Sequence, residues 1–176
     1  MNLLALIENN AKAYLNRKPK CDVILYDDDT YENVIFPVIP SKLPAVEQKQ
    51  NNEVFNGASG DITLIGTLGL REYTLDNWLL PVNKSYPFTR PNASDGEAII
   101  NFIKTRRETK KVFRICVIFT DGNEVLNMAC VCDDLNYYYD SVHDIHASIS
   151  FKEYIYVNTT NNQTTNSNNS LSDSQN

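Results

Sequence analysis

FRICVIFTDGNEVLNMACVCDD, at residues 113–134, is the stretch that decides the fold. Apolar and polar side chains alternate on both sides of Asp121-Gly122, as they do in half-buried β-strands. An Asp-Gly pair between two such runs predicts a two-residue hairpin turn of the primed type, with the returning strand at 124–132. The pattern therefore predicts two adjacent antiparallel strands. One face of the first strand is expected to carry Phe113, Ile115, Val117 and Phe119.

Two further stretches extend the strand pattern on either side of this hairpin. DITLIGTLGLREYTLDNWLLP, at residues 61–81, predicts a strand at 62–66 and a second extended segment at 70–80. SISFKEYIYV, at residues 148–157, predicts the last strand of the fold, with alternate side chains directed inward. The inward residues are expected to be Ala147, Ile149 and Phe151.

The first third of the chain carries weaker strand signals. Strands are expected at 22–26 and 33–38, joined by three consecutive aspartates at 27–29 that read as a solvated turn. Two short strands are expected at 45–50 and 53–55, with an Asn-Asn turn between them. This region is therefore predicted to add strands to the sheet formed by the second half.

One helix is predicted inside the strand-rich region. Ser94-Asp95-Gly96-Glu97 matches a capping box, in which the Ser94 hydroxyl caps the helix and the Glu97 side chain reaches back. An apolar stripe follows, and the helix is expected to end near Thr109. Its basic end suits the negative end of the helix dipole, and it is either a solvated face or a contact for an acidic partner subunit. The basic residues are Lys104, Arg106, Arg107, Lys110 and Lys111.

These elements predict an α+β fold, in which a mostly antiparallel sheet curls into a β-sandwich or open barrel with one packed helix. Residues 19–157 are expected to form this β-rich domain. Residues 1–18 are expected to form an amphipathic helix that ends before Pro19. Residues 158–176 consist almost entirely of Asn, Thr, Ser and Gln, and are expected to be a disordered tail.

The expected N-terminal helix has an apolar stripe that needs another surface to pack against. A lone helix of this length is marginal in water, so the stripe is expected to pack either on its own domain or on a neighbouring subunit. The stripe consists of Leu3, Leu4, Ile7, Ala11, Tyr14 and Leu15.

Composition excludes several classes of protein. The 176 residues suit one domain, and 42% hydrophobic residues allow a core. A net charge of −6 argues against a general nucleic-acid partner, which needs clustered Lys and Arg. The start MNLLALIENN lacks the features of a targeting segment, and no apolar run is long enough to span a bilayer, so no membrane partner is expected. Cytoplasmic synthesis before assembly is expected.

Titratable and thiol side chains do not form a recognisable reaction centre. Cys21, Cys116, Cys130 and Cys132 lack zinc-site spacing, and they are expected to be small buried hydrophobes. His143 and His146 are expected to face opposite ways on a strand. The carboxylate pairs Glu72 with Asp76 and Asp133 with Asp134 have no evident cleft for glycan hydrolysis. We therefore predict no enzyme activity, no catalytic residue, no cofactor and no metal.

The order of these segments resembles a known family. The proline-rich residues 36–44, the segment 65–73 with its WLLP continuation, and the closing strand 151–157 are similar to the N-terminal domain of LysM-bearing baseplate proteins. These proteins are hub adaptors of contractile phage tails, defective prophages and tail-like bacteriocins. The resemblance covers roughly residues 22–157 and does not include catalytic residues.

The resemblance implies a non-enzymatic structural role in a contractile injection system. Such an adaptor ties the central hub or tail tube to the surrounding wedge and sheath proteins of the baseplate, and it is located in the virion or tail-like particle. Family members commonly continue into a LysM domain that binds peptidoglycan. This sequence ends within the linker-like tail, so direct contact with the cell wall is not part of the expectation.

Candidate contact residues follow from their apolar or basic character. The predicted protein interface consists of Leu3, Leu4, Ile7, Ala11, Tyr14, Trp78, Leu79, Arg106 and Arg107. The alternative is a soluble module that binds glycan or peptide through the aromatic run Tyr137, Tyr138 and Tyr139, which is expected to lie in a polar loop.

Overall fold

The computed structural model describes residues 21–84 and 86–157. The helix predicted at 1–18 and the tail predicted at 158–176 lie outside the described residues. Within them, nine strands and one helix follow one another along the chain. They are β1 (Cys21–Tyr26), β2 (Asn33–Ile35), β3 (Val46–Glu47), β4 (Glu53–Gly57), β5 (Gly60–Leu64), β6 (Glu72–Leu80), α1 (Gly96–Glu108), β7 (Phe113–Phe119), β8 (Glu124–Tyr139) and β9 (Ile145–Glu153).

Seven strands form one antiparallel sheet in the order β2-β1-β7-β8-β9-β6-β3, and β4 pairs with β5 in a separate two-stranded sheet. β7, β8 and β9 form a meander in which each strand pairs with the next. β1 and β6 then add to its two sides. The predicted α+β class, with a mostly antiparallel sheet and one packed helix, is confirmed.

The core lies on one face of the seven-stranded sheet, under α1. Alternate residues of β7 and β9 are buried there, as predicted from their period of two. Phe113 is the centre of this layer, since its ring makes edge-to-face contacts with Phe102 of α1 at 5.7 Å and with Phe151 of β9 at 6.0 Å. The helix therefore covers the apolar face of the β7–β9 meander.

The sheet curls until strands near its two edges meet. Phe36, just after β2, contacts Trp78 of β6 edge to face at 5.8 Å, although four strands separate β2 from β6 in the sheet. The Trp78 indole donates a hydrogen bond to the Val38 carbonyl at 2.7 Å. This closure corresponds to the open-barrel form of the expected fold.

The loop before α1 reinforces the closure. The Ser94 amide donates to the Ile35 carbonyl at 2.9 Å, and the Gly96 amide donates to the Pro81 carbonyl at 2.9 Å. A Cβ on Gly96 would lie 2.6 Å from the Leu80 carbonyl oxygen, so only glycine fits at the start of the helix. The loop thus ties the end of β2 to the end of β6.

The helix cap differs from the predicted capping box. Asp95 is the N-cap, and its carboxylate accepts from the Glu97 amide at 3.0 Å. The Ser94 hydroxyl instead accepts from the Ile35 amide at 3.0 Å. Ser94 was mistaken for the cap because the same side chain type can bind a neighbouring strand end.

The loop between β7 and β8 is longer than predicted. It comprises residues 120–123, and the Gly122 amide donates to the Phe119 carbonyl at 2.9 Å. Gly122 has a φ of +85° at the end of this turn, whereas a two-residue primed turn would place it in the centre. The Phe119 amide donates to the Asn123 carbonyl at 2.8 Å, so the connection closes as a three-residue turn at 120–122 with the left-handed Gly122 as its last residue.

Strand β8 also continues further than the predicted end at Cys132. It pairs with β9 from Cys130 opposite Glu153 to Tyr139 opposite Ile145. Tyr137, Tyr138 and Tyr139 therefore lie in a strand and not in a polar loop, which agrees with the strand preference of aromatic residues.

Candidate assembly interface

A two-stranded arm extends from the sheet between β3 and β6. We call residues 49–69 the hairpin arm. Its base is held by backbone hydrogen bonds from Asn51 to Thr67 at 2.9 Å and from Gly69 to Lys49 at 2.7 Å. A Cβ on Gly66 would lie 1.6 Å from the Asn51 carbonyl oxygen, so the two chains approach too closely there for any other residue.

The outer part of the hairpin arm consists of β4 and β5, which pair only with each other within the described residues. The predicted strand at 53–55 was expected to turn back at Asn51-Asn52, but β4 instead pairs with β5, and β3 pairs with β6. A two-stranded hairpin without a packed face is only marginally stable in water. Among the described residues, no side chain of β4 or β5 belongs to the buried core.

One face of the hairpin arm is apolar. Phe55 lies opposite Ile62, and Leu64 lies opposite Glu53, so these three apolar side chains share a face. The exposed fraction of the residue is 60% for Phe55, 57% for Ile62 and 52% for Leu64. Exposed apolar side chains that are contiguous mark an interaction site.

The charged residues of the hairpin arm are Lys49 at its base and Glu53 and Asp61 in its outer part. Between residues 50 and 70 the charged residues are Glu53 and Asp61, without any Lys or Arg. Both are exposed. The register places Glu53 on the apolar face beside Leu64 and Asp61 on the opposite face beside Asn56, and β4 and β5 lack the lysines that commonly protect exposed strands.

The predicted interface residues are placed differently from this arm. Leu3, Leu4, Ile7, Ala11 and Tyr14 lie outside the described residues. Trp78 is 4% exposed and belongs to the core. Leu79 is partly buried and lines a groove of about 670 Å³ beside Trp78. Arg107 is exposed.

Arg106 is used inside the fold. Its side chain is 4% exposed, and the guanidinium donates to the Asp27 carboxylate at 3.0 and 3.2 Å and to Glu32 at 2.8 Å. It also lies 3.5 Å from the centre of the Phe102 ring. Neither Arg106 nor Trp78 is thus available as an exposed contact, and both have structural roles in the domain.

Asp27 also departs from its prediction as a solvated turn residue, because its carboxyl is buried while Asp28 and Asp29 are exposed. Burial would raise the pKa of Asp27. The amides of Thr30 and Asp29 and the Arg106 guanidinium outweigh that effect and hold the pKa below its ordinary value of 3.8. The ion pair is therefore charged at neutral pH.

A second surface is basic and lies at the end of α1. Lys110 has a φ of +53°, and the Lys111 amide donates to the Arg106 carbonyl at 2.9 Å, which ends the helix in a left-handed residue. A groove of about 260 Å³ opens beside this turn, and we call it the basic groove. Its lining consists of Arg106, Arg107, Lys110, Lys111, Phe113, Val131 and Cys132.

The free edge of β6 is protected by a bulge. Between Leu75 and Trp78 the register with β9 shifts, and Asn77 has a φ of +46°. Ser148 fixes the bulge, since its hydroxyl accepts from the Asn77 amide and donates to the Asp76 carboxylate, both at 3.1 Å. Such a bulge discourages the addition of a further strand at this edge.

The acids near His146 hold a loop in place. The buried Asp144 carboxylate accepts from the Val82 amide at 3.1 Å, the Lys84 ammonium at 3.1 Å and the Tyr86 hydroxyl. Burial would raise the pKa of Asp144, but these three donors lower it. Its oxygens are thereby committed to the loop before α1.

His143 and His146 do not converge on a common centre. His146 in β9 stacks on Tyr138 with ring centres 5.2 Å apart, and its Nε2 lies 3.4 Å from the Asp140 carboxylate. His143 lies in the preceding turn with a φ of +70°. Among the described residues, no group of three or more His, Cys, Asp or Glu side chains could hold a metal ion.

All four cysteines are free thiols and are buried, in agreement with their prediction as small buried hydrophobic residues. Burial raises the pKa of Cys116 and of Cys132 to about 11, so little thiolate exists at neutral pH. Thiols of this kind are poor nucleophiles.

Within residues 21–84 and 86–157, no helix has the length and apolar character needed to cross a membrane. No family model matches the chain, and no curated protein matches it.

Proposed function

We propose that this chain is a structural, non-enzymatic component of the baseplate of a contractile phage tail or tail-like particle. It links the central hub or tube to wedge or sheath proteins, and it is incorporated during assembly in the bacterial cytoplasm. The observation that carries the proposal is the apolar face of the hairpin arm. The segment resemblance at residues 22–157 supplies the kind of assembly.

The energy available from the arm suits a contact that works together with others. Complete burial of one large apolar side chain contributes roughly 1.5–3 kcal/mol. Phe55, Ile62 and Leu64 are each a little more than half exposed, so covering all three contributes roughly 3–5 kcal/mol. Micromolar affinity needs about 8 kcal/mol. The arm alone is therefore too weak for a stable complex, and a multi-subunit particle would supply the remaining contacts.

The test compares the two faces of the same arm. The double variant Phe55→Ser/Ile62→Ser removes apolar area from the proposed contact face, and Val54→Ser on the opposite face is the matched control. Val54 is 63% exposed, so its removal is similarly harmless to the fold. We expect the double variant to lose at least about tenfold in incorporation into purified particles, in line with 1.4 kcal/mol per factor of ten.

Incorporation would be measured by quantitative mass spectrometry of baseplates, with circular dichroism of each purified variant as the folding check. Val54→Ser should enter particles at the wild-type level. Equal incorporation of the double variant and the control, with both folded, would contradict the assignment of this face as the contact.

A second candidate function is a module that binds glycan or peptide at the cell wall. The Tyr138 ring supports it, because this ring is exposed and is held in place by stacking on His146 at an interplanar angle of 7°. Exposed aromatic rings of fixed orientation are suitable contact platforms. The test is retention on purified peptidoglycan, which Tyr138→Ala should abolish. Tyr137→Phe is the control, because it keeps the neighbouring aromatic ring and removes only the hydroxyl, which accepts a hydrogen bond from the Lys104 ammonium.

A further inference from the structure

We propose that Asn56, close to the tip of the hairpin arm, is a site of spontaneous covalent modification. In this reaction the side-chain amide of Asn56 is converted to a carboxylate, with water as the co-reactant. The inference goes beyond the proposed function, because it concerns a reaction of the arm itself and does not require a partner. It is carried by the residue that follows Asn56, by the exposure of its side chain and by the weak pairing of the arm.

The residue after Asn56 is a glycine. Gly57 is the one glycine in the 176 residues that follows an asparagine. The reaction begins when the backbone nitrogen of the following residue attacks the carbonyl carbon of the asparagine side chain, and a side chain on that following residue hinders the approach. Glycine has no Cβ and reaches backbone conformations that other residues avoid. Asn56 is therefore the asparagine of this chain whose attack by the next backbone nitrogen is least hindered.

The Asn56 side chain is exposed, and a hydrogen bond does not hold it. In the part of the chain that the structure describes, no group donates to its carboxamide or accepts from it. Asn52, in the same arm, is different, because its Oδ1 accepts from the Gly66 amide at 3.0 Å and the bulkier Glu53 follows it. Asn56 can therefore rotate towards the main chain, whereas Asn52 is fixed.

Opening of the arm controls access to the reaction. In the closed arm Asn56 lies opposite Asp61 and Gly57 lies opposite Gly60, so Asn56 is held in an extended strand. Ring closure joins the Gly57 nitrogen to the Asn56 side chain, and it requires the Asn56 backbone to leave that conformation. A two-stranded hairpin is marginally stable in water, and elements with few buried contacts open locally at little cost. The reaction is therefore expected in molecules whose arm tip is open.

The bonds that form and break in this reaction balance. The Gly57 nitrogen loses its proton and forms a bond to Cγ of Asn56, and the side-chain nitrogen leaves as ammonia. Water then opens the five-membered imide at one of its two carbonyl carbons. Cleavage of the new bond to Cγ yields aspartate, whereas cleavage of the original peptide bond yields isoaspartate, in which the main chain runs through Cγ. The net change is the hydrolysis of an amide, without oxidation or reduction.

The products weaken the pairing of β4 with β5. A carboxylate at position 56 would lie directly opposite the Asp61 carboxylate, and like charges in such a cross-strand pair are destabilising. Isoaspartate also lengthens the main chain beside Gly57, which pairs with Gly60 in the closed arm. Both products favour the open arm, so Asn56 gives the hairpin arm a limited chemical lifetime.

The experiment follows the amides of the purified full chain by mass spectrometry of proteolytic peptides, during incubation over days at mildly acidic and mildly alkaline pH. We expect conversion at Asn56 to be several-fold faster than at Asn52, and faster at alkaline pH because the attacking nitrogen must lose its proton. Labelling by an isoaspartate-specific methyltransferase identifies the second product. Asn56→Gln is the matched control, since its longer side chain would have to close a less favourable six-membered ring. Gly66→Ala, which should open the base of the arm, is expected to accelerate conversion at Asn56.

Persistence of the Asn56 amide in the folded chain would overturn the inference, and the urea-unfolded chain would give the cause. Loss of the amide in urea would show that the closed arm protects Asn56. Persistence in urea would show that the Asn56-Gly57 pair is unreactive. Conversion at Asn52 as fast as at Asn56 would equally contradict the assignment.

The predicted weakening of the arm has its own test. Asn56→Asp fixes one product in place, and limited proteolysis should cleave its arm faster than that of Asn56→Gln. Asn56→Asp/Asp61→Asn removes the second carboxylate and should restore slow cleavage. Equal cleavage of Asn56→Asp and Asn56→Gln would refute the effect of the opposed charges.

Failure of this inference can be distinguished from failure of the proposed function, because the amide is measured in the isolated chain. A stable Asn56 amide, while Phe55→Ser/Ile62→Ser is still lost from particles, would refute the modification alone. Conversion of Asn56, while that double variant enters particles normally, would refute the assembly role of the arm and leave the modification intact.

Discussion

Substitution of Arg106 by Met should reveal how much the buried ion pair contributes to the fold. Met keeps much of the aliphatic stem that packs near Phe102, and it removes the guanidinium that binds Asp27 and Glu32. The Asp27 carboxylate would stay buried with only backbone amides as donors. Breaking a buried pair by removing one partner typically costs about 3–5 kcal/mol. We therefore expect Arg106→Met to lower the free energy of unfolding by about 3–5 kcal/mol.

The matched control is Arg107→Met, one residue further along the same helix. Arg107 is exposed, and its guanidinium donates a hydrogen bond to the Asp133 carbonyl at 3.4 Å. Exposed charges contribute little, so we expect a change within about 0.5 kcal/mol. Both variants would be measured by urea denaturation at pH 7, followed by circular dichroism. Equal stability of Arg106→Met and Arg107→Met would refute the structural role of the buried pair.

The pH dependence provides an independent check on the same pair. The folded-state pKa of Asp27 is lowered, so its contribution to stability is fully present above the ordinary value of 3.8 and is lost as pH falls through the folded pKa. The stability difference between wild type and Arg106→Met should therefore shrink below about pH 4. A difference that stays constant from pH 7 to pH 3 would contradict the electrostatic explanation.

Three further predictions concern other parts of the fold. Gly66→Ala should open the base of the hairpin arm without unfolding the core, which limited proteolysis would detect as faster cleavage in the arm than for the control Ser59→Ala. Tyr86→Phe should remove a donor that lowers the pKa of Asp144, so the acid unfolding midpoint should move to higher pH in a pH titration followed by circular dichroism. Trp78→Ala should cost about 3–5 kcal/mol in urea denaturation, because this side chain is buried in the core; a cost below 1 kcal/mol would contradict that placement.

The alternation of side chains in the second half of the sequence was enough to predict its strands. Phe113, Ile115 and Val117 in β7, and Ile149 and Phe151 in β9, are buried on one face as the period of two requires. Local pattern succeeds here because each strand pairs with a sequence neighbour in the meander. The ends of elements were less predictable, since they depend on partners elsewhere in the fold.

The buried state of Arg106 was missed although a signal was present. Arg106 lies three residues after Ile103 and four after Phe102, so it continues the apolar stripe of the helix. Because Arg106 stands among other basic residues at the end of the helix, the whole group was interpreted as one exposed surface. The partner that permits burial is Asp27, far away in sequence, and no local pattern connects the two.

The hairpin arm could not be predicted for a different reason. Phe55, Ile62 and Leu64 have the spacing of strand residues, and the sequence between them contains turn-forming residues at 56–61. Periodicity identifies a strand but does not say whether the rest of the domain covers it. Only the three-dimensional arrangement shows that β4 and β5 lie apart from the seven-stranded sheet.

The strand order has a consequence for how the chain is made. Val23 of β1 pairs with Val117, and Leu75 of β6 pairs with Ile149, so both strands emerge from the ribosome long before their partners. Synthesis proceeds at about 5–20 residues per second, which leaves the first half unpaired for several seconds or more. Until β7–β9 have been translated, the apolar residues of β1 and β6 lack the strands that pair with them in the fold, so the nascent chain exposes these residues during synthesis.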